Sequence, residues 1–297
     1  MAVTAIETPA AARAARRFKP FGEIVPHLVI WAGILITAFP LYVALIASTL
    51  TNQEIQQAPM PLLPGAEGLR VWQETILQGG SGRISTPPVW LMLWNSLVMA
   101  VLIAVGKIAI SILSAYAIVF FRVPLRTLFF WMIFITLMLP VEVRIVPTLQ
   151  VVTDLRLLNT YTGLVVPLIA SATATFMFRQ FFLTIPDELV EAAKIDGAGP
   201  LRFLRDVVLP LSFTTIAALV VILFIYGWNQ YLWPLLVTTR QELNTIVIGI
   251  AKMVDAAGGP VDWNKIMATA LLALIPPVVV VIALQKLFVK GLVDTEK

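Results

Sequence analysis

Long apolar runs separated by short polar segments dominate this chain. A helix needs about 20 mainly apolar residues to cross roughly 30 Å of hydrocarbon. Six stretches meet that requirement: 24–48, 90–120, 128–143, 163–182, 211–237 and 266–288. The third is short if it stops at Pro140, which leaves room for a re-entrant piece. Isolated strands cannot satisfy their backbone groups in lipid, so the pattern predicts helices throughout. The expected fold class is an all-α membrane protein with six transmembrane helices. The expected division is a tail over 1–22, a membrane domain over 23–289 and a tail over 290–297.

Composition agrees with lipid as the main solvent. Hydrophobic residues make up 59% of 297 positions and charged residues 13%, where a soluble chain averages about a quarter charged. Mean hydropathy is +0.90. No cysteine is present, which removes disulfides and Cys-ligated metals. The single histidine, His27, opens the first apolar run and reads as an interfacial residue; a His-ligated metal would need partners that the chain lacks.

Charge placement suggests orientation. With the N-terminus inside, 13 of the basic residues fall on the cytoplasmic side and 7 outside, which predicts both termini in the cytoplasm. The Ala-rich start carries Arg13, Arg16, Arg17 and Lys19, but the run that follows is too long for a signal-peptide core. It reads as a cytoplasmic tail before a retained span. Outer loops are then expected over 49–89 and 239–265. The first is rich in Pro and Gly and suits an ordered cap. Trp72, Trp90, Trp94, Trp233 and Trp263 lie near the expected membrane boundaries.

The inner loop over 183–210 carries the most information. Thr184 with Asp187 fits a helix-start capping box, and Pro186 suits a first turn. A short helix follows. Asp196-Gly197 breaks it, and Pro200 starts a second helix expected to end before Pro210. Leu189, Ala192 and Ala193 form a small apolar strip, with Phe203 and Leu204 as a bulkier knob. Such a helix–turn–helix suits docking into a partner's groove; a plain interfacial hairpin is the alternative.

Glu191-Ala192-Ala193, then Gly197, then Leu209-Pro210 resemble the EAA loop of bacterial ABC-importer permeases. Phe39-Pro40-Leu41-Tyr42, the segment from Leu139 to Arg144, Phe178-Arg179-Gln180-Phe181-Phe182, the run from Tyr226 to Leu235 and Gly291-Leu292-Val293-Asp294 resemble carbohydrate-type permeases related to the maltose system. Within that family the resemblance is strongest to second permease subunits of sn-glycerol-3-phosphate importers. It implies the type I ABC importer fold, with Glu188, Glu191, Ala192, Ala193, Asp196, Gly197 and Phe203 coupling to an ATPase. It also implies a second, different permease subunit, an ATPase homodimer that binds ATP and Mg, and a periplasmic or lipid-anchored solute-binding protein. The implied cargo is sn-glycerol 3-phosphate or a glycerophosphodiester; a neutral sugar is the alternative. The C-terminal tail could reach the ATPase, although it is short.

Direct reading agrees that the energy source lies elsewhere. The phosphate loop G-x-x-x-x-G-K-[ST] is absent, and Gly106-Lys107 is followed by Ile108 inside a span. Nothing points to an enzyme or to a cofactor on this chain. Candidate pathway residues are Lys107, Ser111, Glu142, Arg144, Asn229 and Gln230. Lys107, Ser111 and Ser114 share one helix face and should avoid lipid. Lys107 is either a cation that attracts an anionic solute or half of a structural pair. Glu142 and Arg144 are either a gate, a binding-protein contact or a loop ion pair. Asn229 and Gln230 either line the pathway or bond between helices. An ion-gradient-driven transporter is the rival of another class; it should carry acidic relays within its spans, which are scarce here.

Overall fold

The computed structural model describes residues 20–79, 86–121, 124–136, 141–254 and 261–293. The chain divides into two units, Met1–Val43 and Ala44–Lys297. Every regular element among the described residues is helical, as the apolar runs require.

In the first unit, α1 (Pro20–Ala47, running into the second) keeps Pro26 and Pro40 inside the helix. Thr37 Oγ1 donates to the Gly33 carbonyl at 2.9 Å, a local bond that satisfies a hydroxyl without water.

The second unit continues with α2 (Asn52–Ile55), α3 (Gly68–Gln78), α4 (Val89–Phe120), α5 (Arg126–Thr136) and α6 (Val141–Asp154). Next come α7 (Tyr161–Val165), α8 (Ala172–Phe182), α9 (Asp187–Ile195), α10 (Pro200–Phe203) and α11 (Leu209–Leu211). The remainder is α12 (Phe213–Trp228), α13 (Leu232–Val237), α14 (Ile246–Val254) and α15 (Trp263–Val293).

The pillar of this unit is α4. Its buried positions include Met92, Ser96, Met99, Ile103, Lys107, Ser111 and Ala115, spaced three or four apart, so they share one face. Three apolar clusters lie in succession along that face: the first against Phe224 and Ile246, the second against Leu164 and Trp233, the third against Phe178, Phe203 and Leu219. The opposite face is equally apolar but exposed, at Trp90, Trp94, Val101, Val105 and Leu113. A helix apolar on both sides, with one side against protein, suits a lipid-facing wall. Small residues let its neighbours close in: a Cβ on Gly227 of α12 would sit 2.9 Å from Ala100 Cα.

Among the described residues, three helices can cross a membrane by length and composition: Ile24–Ala47, Val89–Phe120 and Trp263–Gln285. Two bent pairs bring the count to as many as five. The fourth expected span is broken, with Tyr161–Leu168 meeting α8 at 47°. The break follows Pro167 in a 3-10 turn and ends where Ser171 caps α8 by accepting from the Ala174 amide.

Several expectations need correction. The stretch over 128–143 is not one helix: α5 has 11 residues and α6 is separate, so Arg144 stands on a helix rather than a loop. The stretch over 211–237 breaks after Trp228, so Asn229 and Gln230 sit in the gap before α13 and not within a span. Asn229 is the exposed cap residue that closes α12. The expected outer loop over 239–265 holds α14, whose Ile246, Ile248, Gly249 and Met253 are buried. Trp233 is not interfacial: it is 3% exposed, and its Nε1 donates to the Gly163 and Leu164 carbonyls at 3.2 Å. The expected cap is ordered through α2 and α3 in its described part, and Trp72 donates to Ser48 Oγ at 3.0 Å. Residues 1–19, most of the expected N-terminal tail, and 294–297, half of the expected C-terminal tail, lie outside the described residues.

Candidate functional site

The helix–turn–helix expected over 183–210 is present, with different end chemistry. Pro186 is the N-cap of α9, and no side chain caps it. Thr184 Oγ1 instead donates backwards to the Phe181 carbonyl at 2.7 Å, so the Thr184–Asp187 capping box does not form. Asp187 and Glu188 in the first turn and Lys194 in the last complement the helix dipole. The turn after α9 closes by two bonds: the Gly197 amide to the Lys194 carbonyl at 3.0 Å, and the Ala198 amide to the Ala193 carbonyl at 2.9 Å. That pairing needs a left-handed residue between them, and Gly197 supplies it at φ +69°.

Beyond Gly197 the chain does not stop before Pro210. It passes from α10 through a π turn over Leu204–Val208 into α11, which carries Pro210 in its first turn. A proline inside a helix lacks one donor, and the wider π turn accommodates the missing bond. The whole segment then meets α12 at 74°.

The hairpin has two faces. Val190 and Ala193 pack half-buried on the core, and Phe203 and Leu204 are buried in it, at 7% and 8% exposed. The sequence reading of Phe203 and Leu204 as an outward knob is therefore corrected. Phe203 stacks edge-on against Phe120 with ring centroids 5.3 Å apart, and Tyr116 donates to the Pro200 carbonyl at 2.8 Å. The opposite face leaves Glu188, Leu189, Glu191, Ala192, Asp196 and Gly197 exposed. Two large apolar residues stand out there that the sequence reading missed: Ile195 at 86% and Leu201 at 79% exposed. Their signal was available, because both flank the Gly197 turn as bulky aliphatics among polar neighbours.

Elsewhere, the buried face of α4 carries a cation. Lys107 is 6% exposed, and its Nζ lies 3.7 Å from the centroid of the Tyr226 ring. A cation over a ring face is stabilised electrostatically, more so when desolvated. Lys107 forms no ion pair with a carboxylate among the described residues. Arg144 stands exposed on α6. Gln230 Nε2 donates to the Tyr226 carbonyl at 3.1 Å. The structure thus sets Lys107 against the ring of Tyr226, a residue the sequence reading left out, with Gln230 bonded to the backbone of the same residue. Ser111 is turned elsewhere, donating to the Ser171 carbonyl at 3.2 Å. The side chain of Glu142 lies outside the described residues. No group of three or more His, Asp or Glu residues that could hold a metal occurs among the described residues.

Two polar clusters stand at the Val89 end of α4. Asn95 Nδ2 donates to the Glu242 and Asn244 carbonyls at 2.7 and 3.0 Å, while its Oδ1 accepts from the Tyr161 hydroxyl. Nearby, Lys265 at the start of α15 pairs with Glu74 of α3 at 3.2 Å, and Arg70 pairs with the same carboxylate at 2.8 Å. Asn52 Nδ2 reaches the Asp262 carboxylate at 2.8 Å. These contacts tie α2 and α3 to the first turn of α15.

A lipid-compatible helical wall, broken spans beside it and an exposed two-helix hairpin fit a membrane transport component. Residues 107–294 match the family model described as the inner-membrane component of binding-protein-dependent transport systems. The chain belongs to that family, and it is a multi-pass inner-membrane permease of an ABC transport system. The family description implies a binding protein and an ATPase alongside it.

Two relatives are the sn-glycerol-3-phosphate transport system permease proteins UgpE of Brucella melitensis and Rhizobium meliloti. They are 59% and 60% identical over 279 residues, which is 94% of this chain and 99% of each relative. A solved bacterial ABC transporter involved in the import of the acidic polysaccharide alginate contains a similar chain. The match has a TM-score of 0.75 at 20% identity and covers 94% of this chain and 99% of that one. At that identity the likeness speaks to the fold alone.

Proposed function

We propose that this chain is the permease subunit that carries sn-glycerol 3-phosphate, or a glycerophosphodiester built on it, into the cytoplasm. The observation that carries this reading is the identity of 59–60% to relatives of that name across nearly the full length of both chains. In this reading three long helices, two bent pairs and the short apolar α5 make six passes, with both termini cytoplasmic. A second, different permease completes the pathway. Two copies of an ATPase bind ATP and Mg on the cytoplasmic side, and a binding protein delivers solute from outside.

The exposed face of the hairpin is the coupling surface. Ile195, Leu201 and Ala192 supply apolar anchors that a groove on the ATPase desolvates, while Glu188, Glu191 and Asp196 ring them with charge. ATP binding closes the ATPase pair and moves the two grooves. The hairpin follows, the spans rock, and the cavity changes the side it faces. Hydrolysis resets the cycle. Lys107, buried on α4, gives the interior a positive potential. In a low-dielectric setting such a field favours a phosphate monoester over a neutral sugar of similar size.

The deciding experiment is uptake. Cells lacking the native permease, complemented with this chain and its partner subunits, should accumulate labelled sn-glycerol 3-phosphate in an ATP-dependent way. Unlabelled glycerophosphodiester should compete, and maltose should not. Equal competition by maltose, or accumulation that follows an ion gradient without nucleotide, would reject the proposal.

A further inference from the structure

The coupling hairpin must be joined stiffly to the spans if a push on one is to rotate the other. Its joint to α4 is closely packed on one side, where Phe203 and Leu204 bury in the core. On the other side a surface pocket of about 270 Å³ opens between the two, lined by Tyr116, Phe120, Phe121, Val190, Ala193 and Phe203 among others. Close packing is what normally transmits displacement through a protein interior, and it is missing along this open side. What crosses the gap is specific. The Tyr116 hydroxyl donates to the Pro200 carbonyl at 2.8 Å, over 84 residues of sequence. Around it, Tyr116 meets Phe121 edge-on at 5.3 Å and Phe203 at 6.3 Å, while Phe120 meets Phe203 at 5.3 Å.

The position of the acceptor matters. Pro200 opens α10, directly after the Gly197 turn and directly before exposed Leu201. Its ring fixes φ at the first position of α10, so the carbonyl belongs to the helix start and not to the preceding turn. The π turn over Leu204–Val208 and the 74° bend follow, so rigid helix is lost immediately downstream. A displacement applied at Ile195 or Leu201 would be absorbed by these two soft points unless something ties the stretch between them to a long helix. Tyr116 stands on α4, the 32-residue helix that carries all three apolar clusters.

We infer that Tyr116 is the positioning residue that transmits coupling-hairpin motion to the spans, through its hydroxyl bond to the Pro200 carbonyl. This deepens the proposed function and rests on it. Tyr116 touches neither nucleotide nor solute; it sets how much of each ATP-driven stroke reaches α4.

The test uses the assembled complex of both permeases, the ATPase and the binding protein in proteoliposomes. Y116F keeps the ring and its stacking and removes only the hydroxyl. Solute moved per ATP hydrolysed should fall about fivefold, while complex yield and ATPase rate stay within twofold of the unsubstituted complex. Adding A193V fills part of the cavity from the hairpin side and should recover some of that ratio.

A readout independent of the solute uses the natural absence of cysteine. Spin labels at Lys194→Cys and Val105→Cys should give one narrow distance that shifts with nucleotide, and Y116F should broaden it. An unchanged transport-to-ATP ratio with an unchanged distance distribution would overturn the inference. So would a failure of the Y116F complex to assemble, because the hydroxyl would then be a determinant of folding. If the unsubstituted complex moves no sn-glycerol 3-phosphate, the proposed substrate is wrong, yet the distance measurement still decides the role of Tyr116.

Discussion

At the scale of single residues, contact distance rather than residue type separates tolerant from intolerant positions. Gly197 and Gly227 look alike in sequence. Gly197 needs its left-handed φ but has open space around its missing side chain, whereas Gly227 has ordinary helical geometry and Ala100 pressed against it. Gly227→Val should force α12 away from α4. Overpacking of this kind costs roughly 1–3 kcal/mol, so the detergent-solubilised protein should unfold several degrees lower in a thermal scan. An unchanged midpoint would mean that the two helices are free to separate. Lys107 makes the same point in another way. The sequence showed a charge inside a span, on a face with serines. It did not show that the partner is an aromatic ring 3.7 Å away, because that ring lies 119 positions further along the chain. Periodicity within one helix says which side a residue faces; it does not say what stands opposite.

Between elements, the polar contacts of the second unit act as clasps. The clasp from α3 to α15 centres on Glu74, which accepts from Arg70 and from Lys265. Those hydrogen bonds, from Arg70 first and Lys265 second, hold the Glu74 carboxyl below its ordinary range. A carboxylate with a lowered folded-state pKa contributes stability above its unfolded value, about 4.3, and loses it as pH falls through the folded one. Backbone amides of α3 should therefore exchange hydrogen at a steady protected level near neutrality and lose protection on acidification below about pH 4. Glu74→Gln should exchange faster at neutral pH and show little further change with acid. A variant as protected as the parent at pH 7 would show that the clasp is incidental. The capping chemistry of the hairpin belongs to this scale too. Thr184, Pro186 and Asp187 carried a helix-start signature, and the helix does start there, but by proline and charge rather than by a capping box. Helix ends read well from sequence because several local devices give the same boundary. Which device operates depends on where the preceding helix leaves its last carbonyls.

At the scale of the molecule, function depends on one exposed surface working against a buried framework. Glu191→Lys and Gly197→Asp alter the exposed face without entering the core, since both positions are solvent-facing. Each variant should reach the membrane at parental abundance on immunoblots, yet uptake should drop by about tenfold or more while the ATPase fails to copurify at the parental ratio. Parental uptake in both would remove the hairpin from the coupling path. The sequence by itself determined the class: apolar runs too long for a soluble core, backbone groups that only helices can satisfy in lipid, an inner loop with EAA-type spacing and no phosphate loop of its own. These features are local or compositional, so they survive without knowledge of the fold. Tertiary structure alone decided that Phe203 points inward while Ile195 and Leu201 point outward, that three expected spans are bent or broken, and that Tyr116, Tyr226 and Glu74 are the partners that matter. The physical reason is the uniformity of the spans. When both faces of a helix are equally apolar, hydropathy cannot tell lipid from protein, and only the packed neighbours make that distinction.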